Sequence, residues 1–130
     1  MWARRGYGMF AIEEKGSRAF VGRIGHQWHQ AVPEVEMAWS LIDGFEGRGY
    51  ATEAGRAARD WAFRTHGIDA SISLIAAENA PSLALARRLG CVREAQDFTY
   101  PDGHVVQVWR HPAQAEIDRQ AATAAATVEG

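Results

Sequence analysis

Apolar positions along this chain follow two different spacings, and the change from one to the other divides it into elements. From Tyr7 to Glu13 the order Tyr-Gly-Met-Phe-Ala-Ile-Glu is rich in β-formers, and Lys15-Gly16-Ser17 supplies turn residues before a second β-rich run, Ala19 to Gly25. The two runs predict a hairpin. Between Val35 and Leu41 the pattern alternates, with Val35, Met37, Trp39 and Leu41 on one face and Glu36 and Ser40 on the other. From Tyr50 to Phe63 the spacing lengthens, with apolar or small residues at 50, 54, 57, 58, 61 and 62, as in a helix with one buried stripe. Glu53 suits the positive end of that helix, and Gly67 is placed to cap its other end. A fourth strand is expected over Ala70 to Ala76 and a second helix over Pro81 to Leu89, stopped by Gly90. Val92 to Tyr100 and Val105 to Trp109, joined by Pro101-Asp102-Gly103-His104, predict a closing hairpin.

This order predicts an α+β fold, a mixed and mostly antiparallel sheet with helices packed on it. The domain is expected over 1–112. After Pro112 the composition shifts to alanine, and 113–130 is expected to be a tail or frayed helix without chemistry of its own.

Composition narrows the function. The 130 residues suit one domain, able to bury roughly two thirds of its unfolded surface. Hydrophobic residues make up 47% and charged ones 23%, and no apolar run approaches the roughly 18 residues of a membrane span. The start, Met1-Trp2-Ala3-Arg4-Arg5, has no apolar stretch behind its basic residues, so a secretory signal is not expected and a cytoplasmic location is. A net charge of −2, with no basic face interleaved with aromatics, argues against nucleic acid as a partner. The single cysteine, Cys91, excludes an internal disulfide and reads as a core residue. The five histidines lack zinc-type spacing, so no metal is implied, and Trp28, Trp39, Trp61 and Trp109 read as core or sheet-face residues.

The most informative stretch joins the third strand to the long helix: Leu41-Ile42-Asp43-Gly44-Phe45-Glu46-Gly47-Arg48-Gly49-Tyr50-Ala51. A glycine-rich turn at a helix start leaves backbone N–H groups converging where the helix dipole adds positive charge, which is a cradle for an anion. Gly47 and Gly49 remove side chains from the approach, and Arg48 adds a full charge. A Walker loop would need Lys and Ser or Thr after the last glycine, where this chain has Tyr50 and Ala51. A dinucleotide fingerprint would need a third glycine at Thr52. What remains, Glu46-Gly47-Arg48-Gly49-Tyr50-Ala51, resembles the Gln/Arg-x-x-Gly-x-Gly/Ala pyrophosphate loop of the GNAT superfamily of acyl-CoA N-acyltransferases. Thr52-Glu53-Ala54 continues it in the wording of the RimJ/RimL branch. Glu46 departs from the usual Gln or Arg, a change that weakens rather than abolishes a contact made mainly by backbone N–H groups.

The resemblance runs from about Gly6 to His111 and implies acetyl-CoA as the acyl donor and a primary amine as the acceptor. It implies that the end of the third strand, at Leu41 and Ile42, splays from its neighbour to pair with the pantetheine arm. Asn79 and Ser82 match the branch's Asn-x-x-Ser, Asn79 as a partner for the pantetheine amides and Ser82 as either a helix cap or a donor to the leaving thiolate. Amine acceptors are mostly protonated near neutral pH, so a carboxylate base helps; Glu36 is the candidate and Glu34 the fallback. The family's usual tyrosine acid falls at Ala86, so that acid is missing. In the family a first strand and one or two helices precede Gly6, where only Trp2 to Arg5 stand here; an exposed apolar flank there implies a homodimer. The expected activity is acetyl transfer to a protein N-terminus or a small-molecule amine. A catalytically inactive CoA-binding or interaction module is the alternative, and a purely structural α/β domain the third.

Overall fold

The computed structural model describes residues 7–29, 31–32, 34–42 and 49–129, with side chains described as far as Ala124. Its strands are β1 (Met9–Glu13), β2 (Phe20–Gln27), β3 (Glu36–Leu41), β4 (Ile72–Ile75), β5 (Val92–Arg93), β6 (Phe98–Thr99) and β7 (Val105–Arg110). The helices among the described residues are α1 (Tyr50–His66), α2 (Ala80–Arg88) and α3 (Gln114–Glu129). The sheet runs β1-β2-β3-β4-β7-β5, with β6 also paired to β7, and every pairing is antiparallel except β3 with β4. This is the mixed, mostly antiparallel sheet the pattern predicts.

Apolar side chains pack on both faces of the sheet, although the row Ala11, Arg23 and Ser40 across β1–β3 is exposed. On one face, Ile24 and Met37 meet Ala58 of α1, while Ile75 and Trp109 meet Ala51 of α1 and Leu85, Ala86 and Leu89 around α2. Met37, Ile24 and Leu89 are at most 2% exposed, and burying each contributes about 1.5–3 kcal/mol. At Gly55 a Cβ would stand 3.1 Å from both Leu89 methyls, so glycine lets α1 approach that closely. On the other face Val32, Ile72 and Val108 pack with Leu74, Phe98 and Tyr100.

Gly67 ends α1 in the left-handed conformation, its N–H donating to the Phe63 carbonyl and the Ile68 N–H to that of Ala62. The expected strand over Val92 to Tyr100 is instead two short ones. Arg93, Glu94, Gln96 and Asp97 offer no apolar alternation, and the register against β7 shifts by two residues between Val92↔Arg110 and Phe98↔Val106. Beyond Pro112 the chain continues as α3, whose first N–H, from Gln114, donates to Asp69 Oδ1 at 2.8 Å. No helix among the described residues is long and apolar enough to cross a membrane.

The parallel pair is where the fold opens. β3 and β4 share the register pair Glu36↔Ile72, with the Ile72 N–H on the Val35 carbonyl at 3.5 Å, and then separate. A continuing ladder would put the Leu74 N–H on the Met37 carbonyl. Instead that carbonyl accepts from Ser73 Oγ at 2.6 Å, and the Leu74 N–H serves the Glu36 carboxylate. Two side-chain hydrogen bonds thus replace one ladder bond, and the strands come apart above them.

Candidate active site

Alternation fixes what the opening exposes. The Ile42 N–H donates to the Val21 carbonyl, so the even-numbered positions of β3 bond to β2 and the odd-numbered ones turn their backbone groups toward β4. The N–H and C=O of Trp39 and Leu41 therefore face the gap with no ladder partner on β4. An extended, amide-bearing ligand could pair with them as a strand would.

A cavity of about 350 Å³ lies beside the separated end of β3, lined by Trp39, Ser40 and Leu41 of β3, Gly49 to Thr52 at the start of α1, and Asn79, Pro81, Ser82, Leu85 and Arg88 around α2. Gly49 stands immediately before α1 at φ +80°, a conformation that favours glycine, and a Cβ there would meet no atom of the described residues within 4 Å. Gly49 supplies no side-chain cap, and the first turn of α1, from Tyr50 to Thr52, borders the cavity. Within that first turn Thr52 Oγ1 is buried without a hydrogen-bond partner among the described residues. A buried hydroxyl left unpaired costs about 1–3 kcal/mol, and a bound acceptor would recover it. Strand amides without a ladder partner on β4, a helix start with glycine at its N-cap and this hydroxyl fit a ligand that carries both amides and phosphates, such as a CoA thioester.

Of the residues singled out from sequence, Leu41, Gly49, Tyr50, Ala51, Asn79 and Ser82 come together in this cavity. Glu46, Gly47 and Arg48 lie outside the described residues. Ile42 does not line the cavity; it is 45% exposed and its backbone belongs to β2. The Tyr50 hydroxyl donates to Glu14, which ties the helix start to the first hairpin.

Asn79 caps α2, its Oδ1 accepting from the Ser82 N–H at 3.3 Å, so the cap is Asn79 and not Ser82. Ser82 Oγ instead accepts from the Trp39 indole N–H at 3.1 Å. Since that indole can only donate, the Ser82 hydroxyl keeps its own proton to give. Trp39 packs against the core clusters of this face, as its sequence position predicts, and its indole also spans from β3 to α2 and lines the cavity. Alternation could place it on the covered face but could not show that its ring edge reaches a serine 43 residues away.

Glu36 is outside the cavity lining, at the opposite end of β3 and about 10 Å along the strand from Trp39. It is 8% exposed, and burial raises its carboxyl above the usual carboxylate range. Hydrogen bonds from Gln27 Nε2 at 3.4 Å and from the Leu74 N–H, with the nearby His29, partly offset that rise. Glu34 is unlike it: Arg110 hydrogen-bonds its carboxylate at both oxygens and lowers its pKa, so Glu34 is committed to an ion pair. Cys91 is buried and its thiol is pushed up to about 12 by that burial, which leaves it unreactive at neutral pH. Ala86 is fully buried in the core beneath α2.

Comparison with known proteins agrees with this geometry. Residues 1–92 match the family model described as acetyltransferase (GNAT) domain, a match that begins before Gly6 and stops short of β7. The structure resembles an acetyltransferase from Agrobacterium tumefaciens at 34% identity and TM-score 0.74, with 85% of this chain aligned to 63% of that one. It resembles a protein from Bordetella pertussis described as a GNAT-family acetyltransferase at 30% identity and TM-score 0.74, covering 85% of this chain and 69% of that one. A Vibrio cholerae protein described as a ribosomal-protein-serine acetyltransferase shares the fold at 22% identity and TM-score 0.70, over 86% of this chain and 67% of that one. This chain thus spans about two thirds of the length of the proteins it resembles.

Proposed function

Because the chain belongs to the acetyltransferase (GNAT) domain family, we propose that it is an N-acetyltransferase moving an acetyl group from acetyl-CoA directly to a primary amine, in the manner of the RimJ/RimL branch. The observation that carries this reading is the separation of β3 from β4 after one register pair, with a cavity beside the separated end of β3 that opens on the start of α1. When bound, acetyl-CoA supplies an activated acyl thioester. The chain's own part is to hold and orient that donor, to take a proton from the amine and to hydrogen-bond the departing sulfur.

Trp39 and Leu41 would hold the pantetheine arm through their cavity-facing backbone groups, with the amide of Asn79 on the other side. Residues 46–51, together with Thr52, would hold the diphosphate at the helix start. Glu36 would act as the base. Its burial raises its affinity for a proton, which brings its pKa closer to the working pH than that of a solvated carboxylate. Ser82, with a lone pair taken by Trp39, would donate a hydrogen bond to the departing thiolate, which takes its proton from the solvent.

The acceptor is a protein N-terminus or a small-molecule amine, the working location the cytoplasm and the assembly a homodimer, which sedimentation at micromolar concentration would test. One observation favours a second reading, a CoA-binding module without turnover: Ala86, in the place of the family's tyrosine acid, is wholly core. Calorimetric titration with acetyl-CoA and desulfo-CoA, together with thiol release over an amine panel, separates the two. Binding with amine-dependent thiol release is the expected result. Binding without release would leave only the module, and no binding would sink both.

A further inference from the structure

Beneath the cavity, between α1 and the sheet, lies a buried line of polar groups that the proposed chemistry does not use. Arg59 of α1 reaches inward, and its Nη1 lies 2.7 Å from the Leu89 carbonyl oxygen and 3.1 Å from His111 Nδ1. His111, 1% exposed, places Nε2 at 2.8 Å from Ser73 Oγ. Ser73, also 1% exposed, reaches the Met37 carbonyl at 2.6 Å.

Donor and acceptor chemistry allows this line only one direction. A guanidinium can only donate, so Nδ1 accepts; a carbonyl can only accept, so the Ser73 hydroxyl gives its proton to Met37. His111 Nε2 must then carry the hydrogen and donate to Ser73 Oγ. The imidazole is thereby assigned one tautomer, and the serine hydroxyl is left one orientation, aimed at β3.

That hydroxyl meets the Met37 carbonyl at the atom where the β3–β4 ladder would otherwise continue. We propose that Arg59, His111 and Ser73 form a positioning relay that occupies the Met37 carbonyl, stops the ladder there and so keeps the backbone of Trp39 and Leu41 open to a ligand. This rests on the cavity being the donor site, but its structural part does not. Each member is a positioning residue: none lines the cavity, and each acts through the next. With the serine hydroxyl gone, the Met37 carbonyl is a buried acceptor in need of a donor, and the one a continuing ladder would supply is the Leu74 N–H, drawn from the Glu36 carboxylate. Taking it would zip β4 onto β3 and offer the Leu74 carbonyl to the Trp39 N–H.

The test is amide hydrogen exchange of the ligand-free protein, read at Trp39, beside calorimetric titration with CoA. In the wild-type protein Trp39 should exchange quickly for a strand residue. In Ser73→Ala, and in the nearly isosteric Ser73→Cys that guards against loss of the fold, its exchange should slow at least tenfold while CoA binding weakens about tenfold. Ser73→Thr, which keeps the hydroxyl, should restore both. A nitrogen-15 spectrum should show His111 protonated at Nε2 and bare at Nδ1. Wild-type exchange in both the Ala and the Cys variants, a Thr variant that exchanges as slowly as Ala, or the opposite histidine tautomer would overturn the relay. If the wild-type protein does not bind CoA, the proposed function fails, while exchange at Trp39 still decides whether Ser73 holds the strands apart.

Discussion

The two ends of β3 differ in what satisfies their backbone. At the lower end Glu36 and Met37 are buried, and groups on β4 reach them, the Leu74 N–H and the Ser73 hydroxyl. At the upper end Trp39 and Leu41 turn the same kind of groups into a cavity that holds no strand. The strand chemistry is the same at both ends; the neighbour decides. Here the sheet interior is kept open by giving the displaced Met37 carbonyl a side-chain partner at the point of separation, so the opening starts abruptly. Glu36 belongs to both ends, since it receives a displaced N–H and also carries the carboxylate proposed as base.

Replacing Glu36 by Gln should therefore separate the two ends cleanly, and it has the largest expected effect. The amide oxygen still accepts from the Leu74 N–H, so the opening and CoA binding should be unchanged. Loss of a general base costs on the order of 100-fold or more in turnover. Because burial raises the Glu36 pKa, the acid limb of the wild-type pH profile should lie above the usual carboxylate range. The loss should be greatest at lower pH, where more of the amine is protonated. An unaltered profile of kcat/KM against pH would end the assignment.

The lower end also depends on neutral histidines. Burial, with Arg59 nearby, brings His26 down to about 4 and His111 to about 3, against an ordinary value near 6.5. Both are neutral in the folded protein at pH 5, whereas the unfolded chain takes up protons as pH falls below about 6.5. The stability they protect is thus present above pH 6.5 and is lost as pH falls toward 4 and then 3. Each contributes a slope approaching about 1.4 kcal/mol per pH unit below pH 6. Urea unfolding of His111→Gln should show about one such slope less than the wild type between pH 6 and 4.5. Equal slopes would mean that His111 is not held neutral.

Sequence pattern revealed these two ends unequally. Alternation placed Met37 and Trp39 on the covered face and Glu36 on the other, and the glycine-rich turn located the start of α1 to the residue. Both signals are local, a period along a strand and a conformation needed before a helix. The separation of β3 from β4 is not local. It depends on Ser73 and His111, 38 residues apart in sequence and joined only because β4 pairs with β7. A search of histidine spacing for metal ligands looks along the chain and passes over such a pair. The link from Trp39 to Ser82 was hidden for the same reason, since that hydrogen bond spans two elements. The broken strand between Val92 and Thr99 was legible in principle, because Glu94 to Asp97 interrupt the apolar alternation that a continuous hairpin strand would need.

At the upper end, Gly49→Val tests the cavity itself. The new side chain meets no atom of the described residues within 4 Å of its Cβ; the positive φ costs the fold about 1–2 kcal/mol. The branched side chain would stand at the helix start, where the donor's phosphates are proposed to sit. CoA should bind about tenfold more weakly, equivalent to about 1.4 kcal/mol. Unchanged affinity in a folded variant would remove the helix start from the site.

The smallest effect is expected just before β4, on the lower side of the opening. Ala70 holds φ +50° without being glycine, and its carbonyl accepts from Arg110 Nη1 at 2.9 Å. Arg110 in turn holds Glu34 and Glu94, and the adjacent Asp69 caps α3. Several contacts thus fix the backbone in a conformation that an alanine adopts at a cost of about 1–2 kcal/mol. Ala70→Gly would relieve most of that strain, while the greater freedom of glycine in the unfolded chain takes back part of the gain. A net stabilisation of about 0.5–1 kcal/mol should appear in urea unfolding, with exchange at Trp39 unaltered. Stabilisation with unchanged exchange would show that β4 is anchored at Ala70 independently of how it is kept from β3 above Ser73. A change in Trp39 exchange would instead make the entry into β4 part of the device that holds the strands apart.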